Sequence, residues 1–540
     1  MKALVLTLGH NSSAILIEDG NIIAGYEEER LSRVKSDSGY PHLAIMKLEK
    51  LYNLPKDIMI YVSHWFLDGK LPPSNKYWRP ELLLKYTEPA KGLQDDLTHH
   101  DSHALSAQVF AGDNFADSYN LFVFDGFGTE GECISIYEKR PDKHITKIKT
   151  FHGFKNSLGL FYQYATAYCG MTMHQHEYKM LGYEAHIDLI MKNIDDLELI
   201  DDCIDNFSDS RINKLHKYIP EYDLGSLKDT QQWVDAVLYT FLDWVDAQDI
   251  TLPDEQRDRI LVSYFTQRHV ENMIKHFQGL YPSKNLLVVG GVFYNVKINS
   301  LLCDLTPGKF CVMPLAGDQG AGLGVYQYYN GDLKWPNHLF WGHRDPIIKS
   351  DCPGVYMANS PYMYLYDNLH THGIVNFVRG PMEFGPRTLC NTSTLAIPAQ
   401  KNAMIINMMN NRTNEMPFAL VVTRKQASDL FMNTDKVHKS LEYMIITREF
   451  EMGEEIGLDG GSHYYPIENR YTCRPQITDD PIMVGLLNEF GPLINTSFNF
   501  HGEPIVYSQE DIESNHTSQR ATYPIITIIE RSQYVTKYIS

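Results

Sequence analysis

A two-domain α/β protein is what this chain predicts, on three observations. Its 540 residues exceed what a single hydrophobic core usually supports. Its amino terminus alternates short apolar runs with turn residues, as a strand meander does. Farther on, glycine-bearing loops recur directly after apolar runs, which marks strand ends where the backbone turns sharply. A content of 43% hydrophobic and 21% charged residues suits a globular enzyme, and no tract has the composition of a disordered segment.

Taken in order, the first strand is expected from Ala3 to Leu8, followed by the polar turn Gly9-His-Asn-Ser-Ser13. A second strand, Ala14 to Ile17, leads through the hairpin signal Asp19-Gly20 into a third, Asn21 to Tyr26. Small hydroxylic residues in the first turn can present backbone amides to phosphate oxygens. This opening is similar to the nucleotide-binding fold shared by actin, sugar kinases and Hsp70.

The run Thr98-His-His-Asp-Ser-His-Ala104 places His99 and His103 four residues apart, so on a helix both rings share one face and can reach one ion. Alone, that spacing more often marks two ordinary surface or core histidines. Its surroundings favour the metal reading, because a strand and acidic glycine loop follow in Leu121 to Gly131, and Met313 to Gly320 comes later. Asp125 and Asp318 are thereby candidate oxygen ligands. Leu286 to Asn295 puts the pair Gly290-Gly291 at a strand end, where backbone can approach a nucleotide. The acidic run from Ile194 to Asp202 reads as the solvated face of a helix.

A second block follows Trp335 to Pro346, whose aromatic and proline content suits a crossover between domains, giving boundaries of 1–345 and 346–540. Within it, Val378 to Asn391, Arg474 to Gln476 and Ile494 to Pro504 are rich in arginine, asparagine and serine. Such groups contact phosphate and carbonyl oxygens, or equally cap their own turns.

Over nearly its whole length the sequence resembles the O-carbamoyltransferase family of nodulation and antibiotic-tailoring enzymes. The family's H-x-x-S-A element matches His10 to Ala14, and its E-E-R-x-S-R-x-K element matches Glu28 to Lys35. H-H-x-x-H-A matches His99 to Ala104, D-G-x-G matches Asp125 to Gly128, G-G-V-x-x-N matches Gly290 to Asn295, and G-D-x-G matches Gly317 to Gly320. In the second half M-E-F-G-P-R matches Met382 to Arg387, and N-T-S-F-N-x-H-G-E-P matches Asn495 to Pro504 at every specified position.

The resemblance implies a Kae1-like, actin-type first domain and a YrdC-like second domain. The second would form carbamoyl adenylate from carbamoyl phosphate and ATP, releasing phosphate and pyrophosphate. The first would hold that adenylate beside a divalent metal, iron(II) in the first instance, and pass the carbamoyl group to a substrate hydroxyl. His99, His103, Asp125 and Asp318 are the implied ligands. For that chemistry His10, just after the first strand, is the candidate general base or orienting partner, or else a turn histidine satisfied by nearby serines. Lys35 is the candidate neutraliser of charge developing on the adenylate, or else a surface lysine. Gly126, Gly128, Lys179, Gly290, Gly291, Asn295 and Gly317 are the implied nucleotide contacts of the first domain. Glu383, Arg387, Asn391, Arg412, Arg474, Asn495, Ser497 and Asn499 are those expected to bind carbamoyl phosphate and ATP in the second. The chemistry is coherent in itself, since a carbamoyl carbonyl is a poor electrophile and a mixed anhydride with AMP supplies the missing leaving group.

Two segments depart from the family pattern. Where many relatives carry K-x-R-E-x-x-R-P-F-A-P, this chain reads Asn410 to Leu420, keeping Arg412 and Pro417 to Ala419 but losing a lysine, a glutamate and an arginine. G-K-x-M-G-L-A appears as Tyr178 to Glu184.

A formal charge of −19 argues against a broad electrostatic grip on nucleic acid, although not against a local basic groove. The eight cysteines contain no C-x-x-C, which disfavours a zinc knuckle or disulfide framework and fits a reducing cytoplasm. No stretch approaches the ~18 apolar residues that span a bilayer, so no membrane association is expected. The expected partner is a small-molecule hydroxyl compound, with a homodimer as the expected assembly. The abundance of Asn, Ile, Tyr and Lys suits an AT-rich gene, and on that ground alone a hydroxymethylated nucleoside or DNA base stands among the acceptors. Three rivals remain: a tRNA threonylcarbamoyl-transfer enzyme, a phosphotransferase, which would need no histidine pair, and a non-catalytic nucleotide-binding module.

Overall fold

The computed structural model describes residues 1–65, 90–141, 143–187, 191, 194–217, 225–248, 256–347, 349–413, 416–451, 453–465 and 469–531. The amino-terminal meander forms as expected, from Lys2–Thr7, Ser13–Glu18 and Asn21–Glu27. Asp19 and Gly20 both take positive φ, which the tight two-residue turn between right-twisted strands demands. Met59–Trp65 and Ala90–Leu93 add two strands parallel to Lys2–Thr7 on its other side. Side chains of the first strand alternate between two cores: Leu4 and Leu6 pack with Ala44, Ile45 and Leu48, while Ala3 and Val5 pack with Leu121 and Leu323. A strand buried on both faces reads as an unbroken apolar run, and this one does.

A second five-stranded sheet repeats that plan. Tyr119–Phe124, Glu132–Lys139 and Thr146–His152 form an antiparallel meander, and Leu286–Val289 and Phe310–Val312 extend it in parallel on the other side. A helical insertion, including Leu158–Tyr168, Ile194–Lys217, Leu227–Ala247 and Arg257–Leu280, separates the third strand from the fourth. Among the described residues, no helix is long and apolar enough to cross a membrane.

The duplication explains where the chemistry collects. Helix His99–Ala111 follows the last strand of the first sheet, and helix Asp318–Asn330 follows the last strand of the second, so the two are topological equivalents. They pack on one another at backbone distance, since a Cβ on Gly324 would lie 1.7 Å from the carbonyl oxygen of Ser102. Their first turns therefore meet between the sheets, beside the carboxyl ends of the two central strands.

Gly324→Ala tests that packing. Alanine gains about 1 kcal/mol in helix propensity, but overpacking against a rigid carbonyl costs about 1–3 kcal/mol or more. The clash dominates, so the urea midpoint of unfolding should fall; a rise would show that the helices are not in contact here.

The second half is built on a mixed seven-stranded sheet in the order Val355–Ala358, Thr527–Glu530, Ile374–Val378, Thr392–Ala396, Leu493–Ser497, Ala419–Val422, Pro475–Ile477. The segment expected as a crossover is more ordered than a linker. Its Phe340–Gly342 pairs antiparallel with Met382–Glu383, and buried Trp341 stacks on Phe384 at 4.9 Å. One apolar cluster consequently runs from Val5 and Leu121 through Trp341 to Phe384 and Ala419, across both halves.

Candidate functional site

Helix His99–Ala111 starts where it does because Thr98 and Asp101 form a reciprocal capping box. Buried Glu132 fixes this end further, accepting the His100 amide at 2.7 Å and the Thr98 hydroxyl at 3.1 Å. The next-turn spacing then aims the Nε2 atoms of His99 and His103 at one point, 3.1 Å apart. Asp125, at the end of Tyr119–Phe124, brings Oδ2 to 3.1 Å from His99 Nε2 and 3.7 Å from His103 Nε2. Its other oxygen accepts the Gly291 amide at 3.0 Å, which orients the carboxylate. Asp318, opening its helix behind Gly317, brings Oδ1 to 3.3 and 3.5 Å from the same nitrogens.

One ligand atom from each of the four residues lies within 4.8 Å of the others. Burial opposes charge on both imidazoles, yet Asp318 and Asp125 hold His99 well above its ordinary pKa and His103 above its own. Burial would likewise raise the two carboxylates, and the imidazoles hold both below the usual range instead. Two imidazole nitrogens, which a cation would ligate in place of a proton, and two carboxylate oxygens converging on one point fit a divalent transition metal. His103 Nδ1 is buried with no partner, while neighbouring His100 turns Nδ1 to Ser135 Oγ at 2.8 Å.

Other imidazoles gather around this cluster. His10 Nδ1 lies 3.5 Å from Asp318 Oδ2, and its ring meets that of His174 edge-on at 4.8 Å. His64 has an unpartnered, buried Nδ1 and a pKa lowered by burial against the pull of Asp318. Neither His64 nor His174 belongs to a spacing pattern that sequence could reveal. Lys35 pairs with Glu29 at 3.3 Å.

The candidate nucleotide residues of the first half fall into two groups. Gly126, Gly128, Gly290, Gly291 and Gly317 line the turns around the carboxylates; a Cβ on Gly128 would lie 2.9 Å from that of His99. Asn295 instead caps helix Val296–Leu305 and donates to Gln267 at 2.7 Å, and Lys179 sits in helix Glu177–Ala185.

In the second half, three candidate arginines converge. Burial, then Arg387 and Arg412, push Arg474 well below its ordinary pKa; Arg387 is also lowered by burial, with Tyr294 and Tyr178 of the first half beside it. No carboxylate pairs with Arg387 or Arg474 among the described residues, and the Nε of each is buried without a partner. Arg412 lies 4.4 Å above the Phe418 ring. Guanidiniums so grouped can accept an anion through charge-assisted hydrogen bonds.

The remaining candidates serve the loops around it. Glu383 accepts the amides of Leu389, Asn391 and Thr392, while Asn391 takes Arg379 Nε and donates to Pro381. Asn495 donates to Gln476 and Thr388, and Asn499 to Phe500 and Glu503. Ser497 pairs with Ser393 across the sheet.

Residues 81–326 match the family described as Carbamoyltransferase N-terminus, and 366–529 match Carbamoyltransferase C-terminus. Nodulation protein NolNO of Sinorhizobium fredii is 25% identical over 571 residues, covering 94% of this chain and 76% of its own. An uncharacterized protein of Methanocaldococcus jannaschii is 24% identical over 537 residues, covering 93% of this chain and 94% of its own. The 3'-hydroxymethylcephem-O-carbamoyltransferase of Amycolatopsis lactamdurans is 26% identical over 286 residues, which is 47% of this chain and 50% of that one. With both family halves matched in order along one chain, the protein is a carbamoyltransferase of the O-carbamoyltransferase family.

Proposed function

We propose that the protein makes carbamoyl adenylate in its second half and transfers the carbamoyl group to an alcohol in its first, with 1–345 as an actin-type Kae1-like domain and 346–540 as a YrdC-like one. The observation that carries this reading is the arginine cluster beside Tyr178 and Tyr294, in which Arg387 and Arg474 have no carboxylate partner among the described residues; a Cβ on Gly317, next to Asp318 of the four-donor cluster, would lie 2.9 Å from the Tyr294 ring. Tyr294 ties the two together, donating to Gln319 at 3.2 Å.

Arg387, Arg412 and Arg474 bind the phosphate groups. Water frees phosphate from carbamoyl phosphate, and the resulting carbamate oxygen attacks the α-phosphorus of ATP, expelling pyrophosphate. The acceptor oxygen then attacks the carbamoyl carbon, the bond to AMP breaks, and the hydroxyl proton passes to a base. Support for His10 as that base is its Nδ1, 3.5 Å from Asp318 Oδ2. A divalent cation held by His99, His103, Asp125 and Asp318 would polarise an oxygen of the anhydride and acidify the attacking hydroxyl. The cephem-modifying relative's name specifies a ring-borne hydroxymethyl group, so we take the acceptor to be a small-molecule alcohol of that kind.

The test is to incubate the protein with carbamoyl phosphate, ATP, a divalent metal and a panel of alcohols: sugars, hydroxymethyl heterocycles, hydroxymethylpyrimidine nucleosides and DNA carrying them. A mass gain of one carbamoyl group identifies the acceptor class. Nucleotide binding without carbamoyl-phosphate-dependent pyrophosphate release would leave the binding module instead. One residue favours that rival: Asn410, where relatives carry lysine, is buried with its amide oxygen taken by Gln519 at 2.7 Å.

A further inference from the structure

The segment from Glu27 to Lys35 lies outside both clusters, yet its side chains reach loops belonging to each. Glu27, Glu29 and Arg30 are almost fully buried, Arg30 at 2% exposure. Arg30 Nη2 donates to Glu27 Oε2 at 2.9 Å and to the Gly385 carbonyl at 2.7 Å, while Nη1 pairs with Glu29 at 2.6 Å. Glu27 Oε2 in turn accepts the Gly385 amide at 3.1 Å. One ion pair thus grips both the N–H and the C=O of a residue two positions before Arg387. Gly385 is held at φ +104°, and a Cβ there would lie 2.7 Å from Leu315, in the loop that leads to Asp318.

The same segment grips the other loop of the second half. Arg33 donates to the carbonyls of Pro504 and Ile505 at 2.8 and 2.7 Å and pairs with Asp511 at 3.1 Å. Its flanks are fastened to the turn bearing His10: Ser12 accepts the Glu28 amide at 2.9 Å, and Gly9 and Gly39 exchange backbone hydrogen bonds. Buried ion networks contribute little net stability, because desolvation offsets their attraction. What they supply is direction, since misaligned partners leave buried charges unsatisfied.

We propose that the Glu27–Arg30 pair is a positioning device that registers the arginine-bearing loop of the second half against the Asp318 loop of the first, so that adenylate made in one half stays enclosed until the other uses it. This rests on the two-step reading above. Its signature is a gain of leakage rather than a loss of rate.

The full-length, metal-replete protein is given ATP and carbamoyl phosphate with no alcohol present. The intact protein should release about one equivalent of pyrophosphate per chain and then slow. Glu27→Gln and Arg30→Lys should keep that burst and then continue, with steady release raised about tenfold, the equivalent of one charge-assisted hydrogen bond. Arg33→Ala, less buried, should leak in the same direction and guards against a misfolded Arg30 variant. Folded variants whose burst and steady release both match the intact protein, or fall together, overturn the proposal. Absence of any carbamoyl-phosphate-dependent burst from the intact protein would overturn the two-step reading itself, which is a separate and distinguishable result.

Discussion

His103→Ala should abolish carbamoyl transfer while sparing carbamoyl-phosphate-dependent pyrophosphate release. His103 is wholly buried and directs Nε2 at His99, Asp125 and Asp318, so truncation removes one of four converging donors. Partners that merely orient a metal ligand are worth 10–100-fold, so loss of a ligand should exceed about 100-fold in transfer. Arg387 and Arg474 share no hydrogen-bond or ion-pair partner with His103 among the described residues, and independent sites perturb one another by about twofold at most. Measuring both half-reactions on one preparation, alongside its metal content, separates the outcomes. Equal loss of both with a normal unfolding midpoint would show that the two steps do not occupy separate sites.

What the sequence made legible was local. The meander could be read because turn chemistry at Asp19-Gly20 and Gly9 to Ser13 acts over a few residues, and the histidine helix because Thr98 and Asp101 cap it. Asp125 and Asp318 were legible as acids at glycine turns, and the structure brings them to the histidine pair. The repetition of one sheet plan in 1–93 and 119–312 was not visible, because no residue pattern recurs with it; only hydrogen-bonded strand order discloses it. The grip of Glu27 on Gly385 spans 358 positions of sequence and no periodicity encodes it. Asn495 and Asn499, matched to the family's N-T-S-F-N-x-H-G-E-P element, use their amide N–H groups on neighbouring protein atoms, a use that asparagine at turns serves as readily, while the Oδ1 of each is buried without a hydrogen-bond partner.

Arg474→Gln should have opposite effects on stability and activity. In the protein as folded, Arg474 stands beside Arg387 and Arg412, and burial together with those two charges disfavours its protonated form. The repulsion has no compensating carboxylate on Arg387 or Arg474 among the described residues, so it is borne by the rest of the fold. Removing one charge while keeping most of the side chain's volume should therefore leave the urea midpoint unchanged or higher, as at other sites where function is kept at the expense of stability. Adenylate formation should meanwhile fall by about 100-fold or more, since an arginine gripping a phosphate through two charge-assisted hydrogen bonds contributes about 3 kcal/mol. Carbamoyl phosphate should raise the midpoint of the intact protein and do so far less for the variant. A large drop in midpoint with activity retained would mean that these guanidiniums are structural, held by partners other than a substrate anion.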